Sequence, residues 1–236
     1  GHISNLIILS NMKLVTQPEE FCCYCGIKKA TTRDHIPPKA IFNKPRPSDL
    51  ITVPCCFKCN NEASKFDEKF KAYLGMHIAR QGGEAERLFK EGVLPTAKHN
   101  HKLRRDIFNS MYPVNIATKA GIITGKGMAV PWDNAAHDIT IERIIRGLFF
   151  HHYGKIIGKS AAINTYWFKE PQSVLDDKLY ETSIANGNFK YRYNKVEESE
   201  FDSVWLFNFY NGHFAGGMVL TSQIELYQNQ LHNFNE

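Results

Sequence analysis

The spacing of apolar residues changes along the chain, and these changes predict the order of its elements. From Asn60 onward, apolar residues recur at steps of three and four, which is the spacing of one face of a helix. They are Ala63, Phe66, Phe70, Leu74 and Ile78. Gly82 and Gly83 follow the last of them, and glycine at this place is typical of a helix end. The pattern therefore predicts a helix that begins at Asn60 and ends before Gly82.

Two short β segments precede this helix. Residues 27–36 contain several β-branched side chains, which favours a strand or one arm of a hairpin. Pro37 and Pro38 end this segment, because proline cannot donate to a strand ladder. Residues 49–53 then predict a short return strand. Strand, strand and helix together predict a small ββα unit.

Beyond residue 80 the pattern predicts a mixture of helices and antiparallel strands. Helices are predicted over residues 84–92, 96–111 and 138–157. Strands are predicted over residues 162–168, 189–193, 204–210 and 214–220, and as a pair within residues 114–132 with turns at 120–121 and 125–127. Asn211-Gly212 is a strong hairpin signal, and residues 12–21 predict a short lead-in strand with a turn at Pro18. The predicted fold class is α+β, with one unit over residues 1–80 and an α+β region over residues 81–236.

All six cysteines fall within residues 22–59. Cys22 and Cys25 form one Cys-x-x-Cys pair, and Cys56 and Cys59 form a second. Each pair can bind one side of a tetrahedral zinc ion, so the spacing predicts a closed structural zinc site held by these four thiolates. The extra cysteines leave a second register open, Cys55-x-x-x-Cys59, but the x-x spacing on both sides favours the first.

Composition narrows the class of protein. A hydrophobic content of 43% and a charged content of 22% over 236 residues are those of an ordinary globular chain. No apolar run approaches the length that spans a bilayer, so neither a membrane helix nor a signal peptide is expected. Disulfide frameworks distribute their bridges over the whole fold, whereas these cysteines are clustered. The clustering favours metal binding and a cytoplasmic location.

The net charge lies entirely in the first unit. Residues 1–80 carry 12 lysines and arginines against 7 acidic residues, whereas residues 81–236 carry 17 of each. A polyanionic partner would therefore be attracted to the cysteine-bearing part of the chain.

These residues together resemble the HNH endonuclease family, in the zinc-knuckled, treble-clef form of its ββα-metal fold. The elements that carry the resemblance lie between residue 22 and about residue 70, roughly 50 of the 236 residues. They are Cys22-x-x-Cys25, Asp34-His35-Ile36-x-Pro38, Asp49-Leu50 and Cys56-x-x-Cys59-Asn60. The combination is specific, although no single element is.

The resemblance implies a metal-dependent hydrolysis of phosphodiester bonds. His35 would be the general base that activates water, because its pKa is near neutrality, and a backbone carbonyl would orient its ring. Asp34 and Asn60 would hold a catalytic Mg²⁺ or Mn²⁺ through oxygen atoms, with Asn61 as the alternative to Asn60. Asp49 stands where the family has an asparagine that braces the histidine-bearing loop, and an aspartate can only accept hydrogen bonds there.

The expected partner is nucleic acid, with DNA favoured over RNA. Basic residues around the Asp-His pair are the candidate contacts to its phosphates: Lys39, Lys44, Arg46 and Lys65. The alternative is a zinc-stabilised nucleic-acid-binding module without catalytic activity. Binding alone does not require the combination of Asp34, His35 and Asn60, so this combination favours the enzyme.

Three further patterns are predicted to be structural. The basic run over residues 98–105 is interpreted as the solvated face of a helix. His151 and His152 are adjacent, whereas a helical metal pair prefers a spacing of four, so they are interpreted as packing and surface residues. The alternating aromatic residues from Trp205 to Tyr210 are interpreted as core.

Overall fold

The computed structural model of the chain describes residues 20–158, 161–173 and 176–221. They form a mixed α/β structure of nine strands and five α-helices, joined by short 3₁₀ turns and one π-helical segment. Most of the predicted lead-in strand, residues 12–19, lies outside the described residues. Within these ranges, none of the helices has the length and apolar character needed to cross a membrane.

The predicted order of two strands and a helix is confirmed, although the first strand is shorter than residues 27–36 and the second lies two residues later than residues 49–53. Strands β1 (Thr32–Ile36) and β2 (Ile51–Cys55) pair antiparallel. Helix α1 (Phe57–Ile78) follows and begins three residues earlier than predicted. The cause is a cap that the apolar pattern does not reveal: the Sγ of Cys56 accepts a hydrogen bond from the backbone N–H of Cys59.

The predicted helices between residues 84 and 111 are more broken than expected. The segment contains α2 (Gly83–Arg87), a π-helical stretch (Leu88–Val93), α3 (Leu94–His99) and α4 (His101–Ile107). The break before α4 lies at Asn100, where the backbone is extended. The Oδ1 of Asn100 accepts a hydrogen bond from the N–H of Leu103 and so caps the start of α4. The basic side chains of residues 98–105 are exposed, as predicted.

A separate hairpin and a long helix follow. Strands β3 (Tyr112–Ala117) and β4 (Ile123–Ala129) pair antiparallel. The turn predicted at residues 125–127 is wrong, because these residues lie inside β4. Helix α5 (Asn134–Tyr153) begins at an Asp133 cap and ends at Gly154, whose φ of 63° is left-handed.

The last part of the chain is a five-stranded antiparallel sheet. Its strands are β5 (Ala162–Phe168), β6 (Tyr180–Ile184), β7 (Phe189–Lys195), β8 (Ser203–Phe209) and β9 (His213–Leu220), in the order β5-β9-β8-β7-β6. Four of them were predicted, and the hairpin at Asn211-Gly212 is confirmed. The sequence did not reveal β6, an edge strand in which only the two ends are large and apolar.

Helix α5 packs between the first unit and the sheet, and one core is shared by all three. The core includes Ile36 of β1, Phe70 of α1, Phe149 of α5 and Trp205 of β8, all buried. The aromatic residues of β8 are part of this core, as predicted. Gly147 lets α5 approach β1 closely, because a Cβ at this position would lie only 2.6 Å from the Cγ1 of Ile36. The close approach brings the preceding turn of α5 beside the Asp34-His35 pair.

A chain of three histidines links α1, α5 and β9 at the edge of this core, with His137 and His213 buried and His77 exposed. His213 is fully buried, and its two ring nitrogens lie 3.0 Å from Nδ1 of His77 and 3.3 Å from Nε2 of His137. Burial lowers the pKa of all three rings, and that of His213 falls well below 6.5 because its two neighbours add to the effect. The rings are therefore neutral in the folded protein at neutral pH.

The histidine chain predicts acid lability. A ring that is kept neutral when folded takes up a proton on unfolding below its unfolded pKa of about 6.5. The free energy of unfolding should thus be undiminished above pH 7 and fall as the pH is lowered below 6.5, by up to ~1.4 kcal/mol per pH unit for each of the buried rings of His137 and His213 and by less for the exposed His77. His213→Gln should reduce this slope, measured by denaturant unfolding between pH 7 and pH 5. The exposed His99→Gln is the control, and an equal slope in both variants would contradict the argument.

Candidate metal centre and adjoining cleft

Four cysteine thiols converge where the two Cys-x-x-Cys pairs meet. The Sγ atoms of Cys22, Cys25, Cys56 and Cys59 all lie within 4.8 Å of one another. The first pair precedes β1 and the second occupies the N-terminal turn of α1, so the hairpin brings them together. Among the described residues, this is the one place where three or more cysteine, histidine or acidic side chains lie close enough together to hold a metal ion.

The thiols suit zinc in both spacing and chemistry. A tetrahedral site with Zn–S bonds of about 2.3 Å places its sulfurs roughly 3.8 Å apart, so small side-chain movements would complete it. Cys55 lowers the pKa of Cys22, which favours the thiolate that zinc requires, whereas burial raises the pKa of Cys59, whose proton has to be displaced by the metal ion. Cys55 itself is not in the cluster and donates to the carbonyl oxygen of Cys56. The register predicted from the x-x spacing is the one in the structure.

The first pair also contacts the Asp-His strand. Tyr24 lies between Cys22 and Cys25, is buried, and donates its hydroxyl to Oδ2 of Asp34 at 2.8 Å. Oδ1 of Asp34 accepts the backbone N–H of His35 at 2.9 Å. Tyr24, placed between the two cysteines, thus orients the carboxylate of Asp34.

Asp34 faces α5, where it meets an arginine and a second carboxylate. The guanidinium of Arg143 bonds Oδ2 of Asp34 through one nitrogen and Oδ1 of Asp67, at 2.9 Å, through another. The same guanidinium lies over the ring of Tyr24, 5.0 Å from its centre. Burial lowers the pKa of Arg143, but Tyr24 and the two carboxylates more than offset this and raise it. Burial also raises the pKa of Asp67 to about 6, in spite of Arg143.

His35 lies on the opposite side of β1 and is half-exposed. Burial lowers its pKa, as does the nearby Lys39, while Asp34 opposes the change. The ring is therefore neutral at pH 7 and can accept a proton. The backbone carbonyl expected to orient the ring is not seen, because no described residue is hydrogen-bonded to it.

Asn60 faces the strand from the first turn of α1. Its Nδ2 donates to Oγ1 of Thr32 at 3.2 Å, and Thr32 in turn donates to the carbonyl oxygen of Cys55. Within the described residues Oδ1 of Asn60 accepts no hydrogen bond, so it is available as a ligand. Asn61 is exposed and does not line the cleft beside this strand, which favours Asn60 over its neighbour.

Strand β1 and helix α1 enclose an open cleft of about 560 Å³. It brings together Asp34, His35 and Asn60, the three residues to which the sequence assigned chemistry. The other charged side chains of its lining are Arg33, Lys39, Lys65, Asp67, Glu68 and Lys71. The cleft thus combines oxygen ligands, a neutral histidine and exposed cations.

Several predicted site residues lie away from this cleft. Asp49 accepts the backbone N–H of Ala185 with both carboxylate oxygens, at 3.1 and 3.0 Å. It therefore braces the hairpin against the C-terminal sheet and does not line the cleft. Lys44 and Arg46 are exposed on the loop before β2 and are also outside the lining. Lys39 and Lys65 do line it.

The residues fit a hard divalent cation in part. Asn60 offers a carbonyl oxygen that has no partner among the described residues, and three carboxylates line the same cleft, which is the ligand chemistry of Mg²⁺. They are those of Asp34, Asp67 and Glu68. However, Asp34 is already bonded to Tyr24, to Arg143 and to the backbone of His35. A cation at Asp34 would therefore meet the guanidinium of Arg143.

Sequence reasoning missed three contributors to this site: Tyr24, Asp67 and Arg143. Tyr24 could have been found from its place between two ligand cysteines. Asp67 lies seven residues after Asn60, a spacing that puts both on one face of a helix. Arg143 had no local signal, because its contact with Asp34 spans 109 residues of sequence.

Comparisons with known proteins add no family to this picture. No protein-family model, curated protein or solved structure matches the chain. The function must therefore be argued from the four-cysteine cluster and the cleft beside it.

Proposed function

We propose that the chain is a metal-dependent endonuclease of the HNH type, built on a zinc-stabilised treble-clef ββα module. The observation that carries the proposal is the cleft, which brings Asp34, His35 and Asn60 together directly beside the four-cysteine cluster. Its substrate is nucleic acid, with DNA favoured. A structural zinc alone would not require a neutral histidine and an unpaired amide oxygen in one cationic cleft.

Different residues of the cleft bind the phosphates, accept the proton and hold the cation. The ammonium groups of Lys39 and Lys65 bind the phosphates that flank the scissile bond. His35 takes a proton from water as the water oxygen bonds to phosphorus, the bond from phosphorus to the 3′ oxygen breaks, and the departing oxygen takes up a proton from solvent water. Asp34 and Asn60 would hold Mg²⁺ or Mn²⁺, which supplies charge neutralisation at the phosphate and the departing oxygen. The products would carry 5′-phosphate and 3′-hydroxyl ends.

A cleavage assay with purified zinc-loaded protein tests this function. Supercoiled plasmid, linear duplex DNA and single-stranded RNA are each incubated with Mg²⁺ or Mn²⁺, with and without excess chelator. The proposal expects metal-dependent nicking of the plasmid that the chelator abolishes. Absence of cleavage of every substrate with both metals would refute it.

One observation favours a second candidate, a nucleic-acid-binding module without catalysis. Arg143 is bonded to Oδ2 of Asp34, and as long as this pair persists it opposes the binding of a cation at that carboxylate. This candidate predicts retention of plasmid in a gel-shift assay with no nicking. The cleavage assay therefore separates the two candidates directly.

A further inference from the structure

We propose that Arg143 is an internal competitor of the catalytic cation, and that Asp67 is a further carboxylate ligand of the same position. The proposal rests on the proposed function and names a regulatory contact of that site. It assigns a role to α5, which lies in the part of the chain that the nuclease resemblance does not cover.

The geometry places one positive group between two carboxylates. Separate nitrogens of Arg143 contact Asp34 and Asp67, one from β1 and one from α1. The side chains are nearly inaccessible, with exposed fractions of 12% for Arg143, 10% for Asp34 and 14% for Asp67. Two buried carboxylates require a positive charge between them, and the guanidinium supplies it in the absence of a metal ion.

The two carboxylates also border the cleft. Asp34 and Asp67 both line the cleft, as does Asn60, whose Oδ1 is without a partner in the described residues. Asn60 and Asp67 share one face of α1, since seven residues make two helical turns. Three oxygen-bearing side chains therefore line one cleft, and Arg143 contacts two of them.

Arg143 does not use all of its hydrogen-bond donors. Its Nε is buried and has no hydrogen-bond partner within the described residues. An arginine that leaves a buried donor unpaired is held less firmly than one whose buried donors are all paired, because the unpaired donor costs free energy. By contrast, Arg146, one turn further along α5, bonds Glu142 and the carbonyl oxygens of Ile157 and Gly158.

Competition follows from charge. A guanidinium stays protonated in proteins, so Arg143 and a divalent cation at the two carboxylates would repel each other at close range. Binding of the cation must move Arg143 aside or take place on the remaining oxygen lone pairs at reduced affinity. Helix α5 thus sets the metal concentration at which the cleft is loaded.

Binding of Mn²⁺ to the zinc-loaded full chain tests this proposal without any measurement of activity. Free Mn²⁺ is followed by electron paramagnetic resonance in titrations of wild type and of Arg143→Gln. The glutamine keeps hydrogen-bonding capacity and removes the charge. We expect Arg143→Gln to bind Mn²⁺ about tenfold more tightly, a coupling of roughly 1.4 kcal/mol, and to gain more thermal stability from Mn²⁺ than wild type.

Arg146→Gln is the matched control on the same helix and should bind Mn²⁺ as wild type does. Unchanged or weaker binding by Arg143→Gln would overturn the proposal. If that variant does not fold, Arg143→Met, which also removes the charge, takes its place with the same expected result, and Asp67→Asn tests the second ligand because the Arg143–Asp34 pair is kept. Its Mn²⁺ affinity should fall well below that of wild type, and an unchanged affinity would overturn the role of Asp67. Tighter Mn²⁺ binding by Arg143→Gln without any cleavage would support the competition and refute the nuclease.

Discussion

Replacing Cys56 with serine is expected to abolish zinc binding and to leave the protein largely unfolded at physiological temperature. The Sγ of Cys56 serves two structures at once, since it belongs to the four-cysteine cluster and caps α1. Structural zinc contributes ~10 kcal/mol or more to small domains, whereas whole proteins are stable by only about 5–15 kcal/mol. Zinc content by elemental analysis and the unfolding temperature by circular dichroism measure the effect.

Cys23→Ala is the matched control for this substitution. Cys23 is equally buried and adjacent to a ligand, but its thiol is not part of the cluster. It should keep one zinc per chain and lose only the stability expected of a small core truncation, about 1 kcal/mol. Loss of zinc from Cys23→Ala, or a fully stable and zinc-loaded Cys56→Ser, would contradict the assignment.

Replacing His35 with alanine is expected to lower the rate of phosphodiester cleavage by about 10²–10⁴-fold. The fold should be unaffected, because the ring has no hydrogen-bond partner among the described residues and is half-exposed. Initial rates of plasmid nicking, with circular dichroism as the check on folding, measure the change. His99→Ala, at an exposed position outside the cleft, should cleave as wild type does.

The same histidine predicts the direction of the pH dependence. Burial and Lys39 lower the pKa of His35 below 6.5, and a general base acts only when neutral. The cleavage rate should therefore be level above pH 7 and fall as the pH drops through this lowered pKa. His35→Ala should lose this limb of the profile. A wild-type rate that rises on acidification would exclude His35 as the base.

The ββα unit could be predicted from the sequence because its signals are local. Proline pairs, β-branched runs and a three-to-four apolar period each act within one element, and the x-x spacing defines the cysteine pairs. The start of α1 is the exception. Its cap is the sulfur of Cys56, and the Cys-x-x-Cys spacing indicates this residue only as a metal ligand.

The environment of Asp34 could not be predicted, because it is made by tertiary contacts. Alternation along β1 indicates that Asp34 and His35 point to opposite sides, but not what lies on either side. Arg143 reaches Asp34 only because Gly147 lets α5 approach Ile36. The structure thus changes Asp34 from a free metal ligand into the partner of a buried arginine. The proposed nuclease requires a cation to bind at Asp34 in spite of this arginine. The binding module has no such requirement.

The most direct measurement is a comparison of Asn60→Ala and Asn61→Ala in the plasmid-nicking assay with Mn²⁺. The two asparagines are neighbours in one helical turn, yet only Asn60 lines the cleft with Asp34 and His35. If the cleft hydrolyses phosphodiesters with a cation held at Asn60, then Asn60→Ala should lose cleavage while Asn61→Ala cleaves as wild type does. Equal activity of the two variants, or no metal-dependent nicking by wild type, would contradict the assignment of catalysis to this cleft.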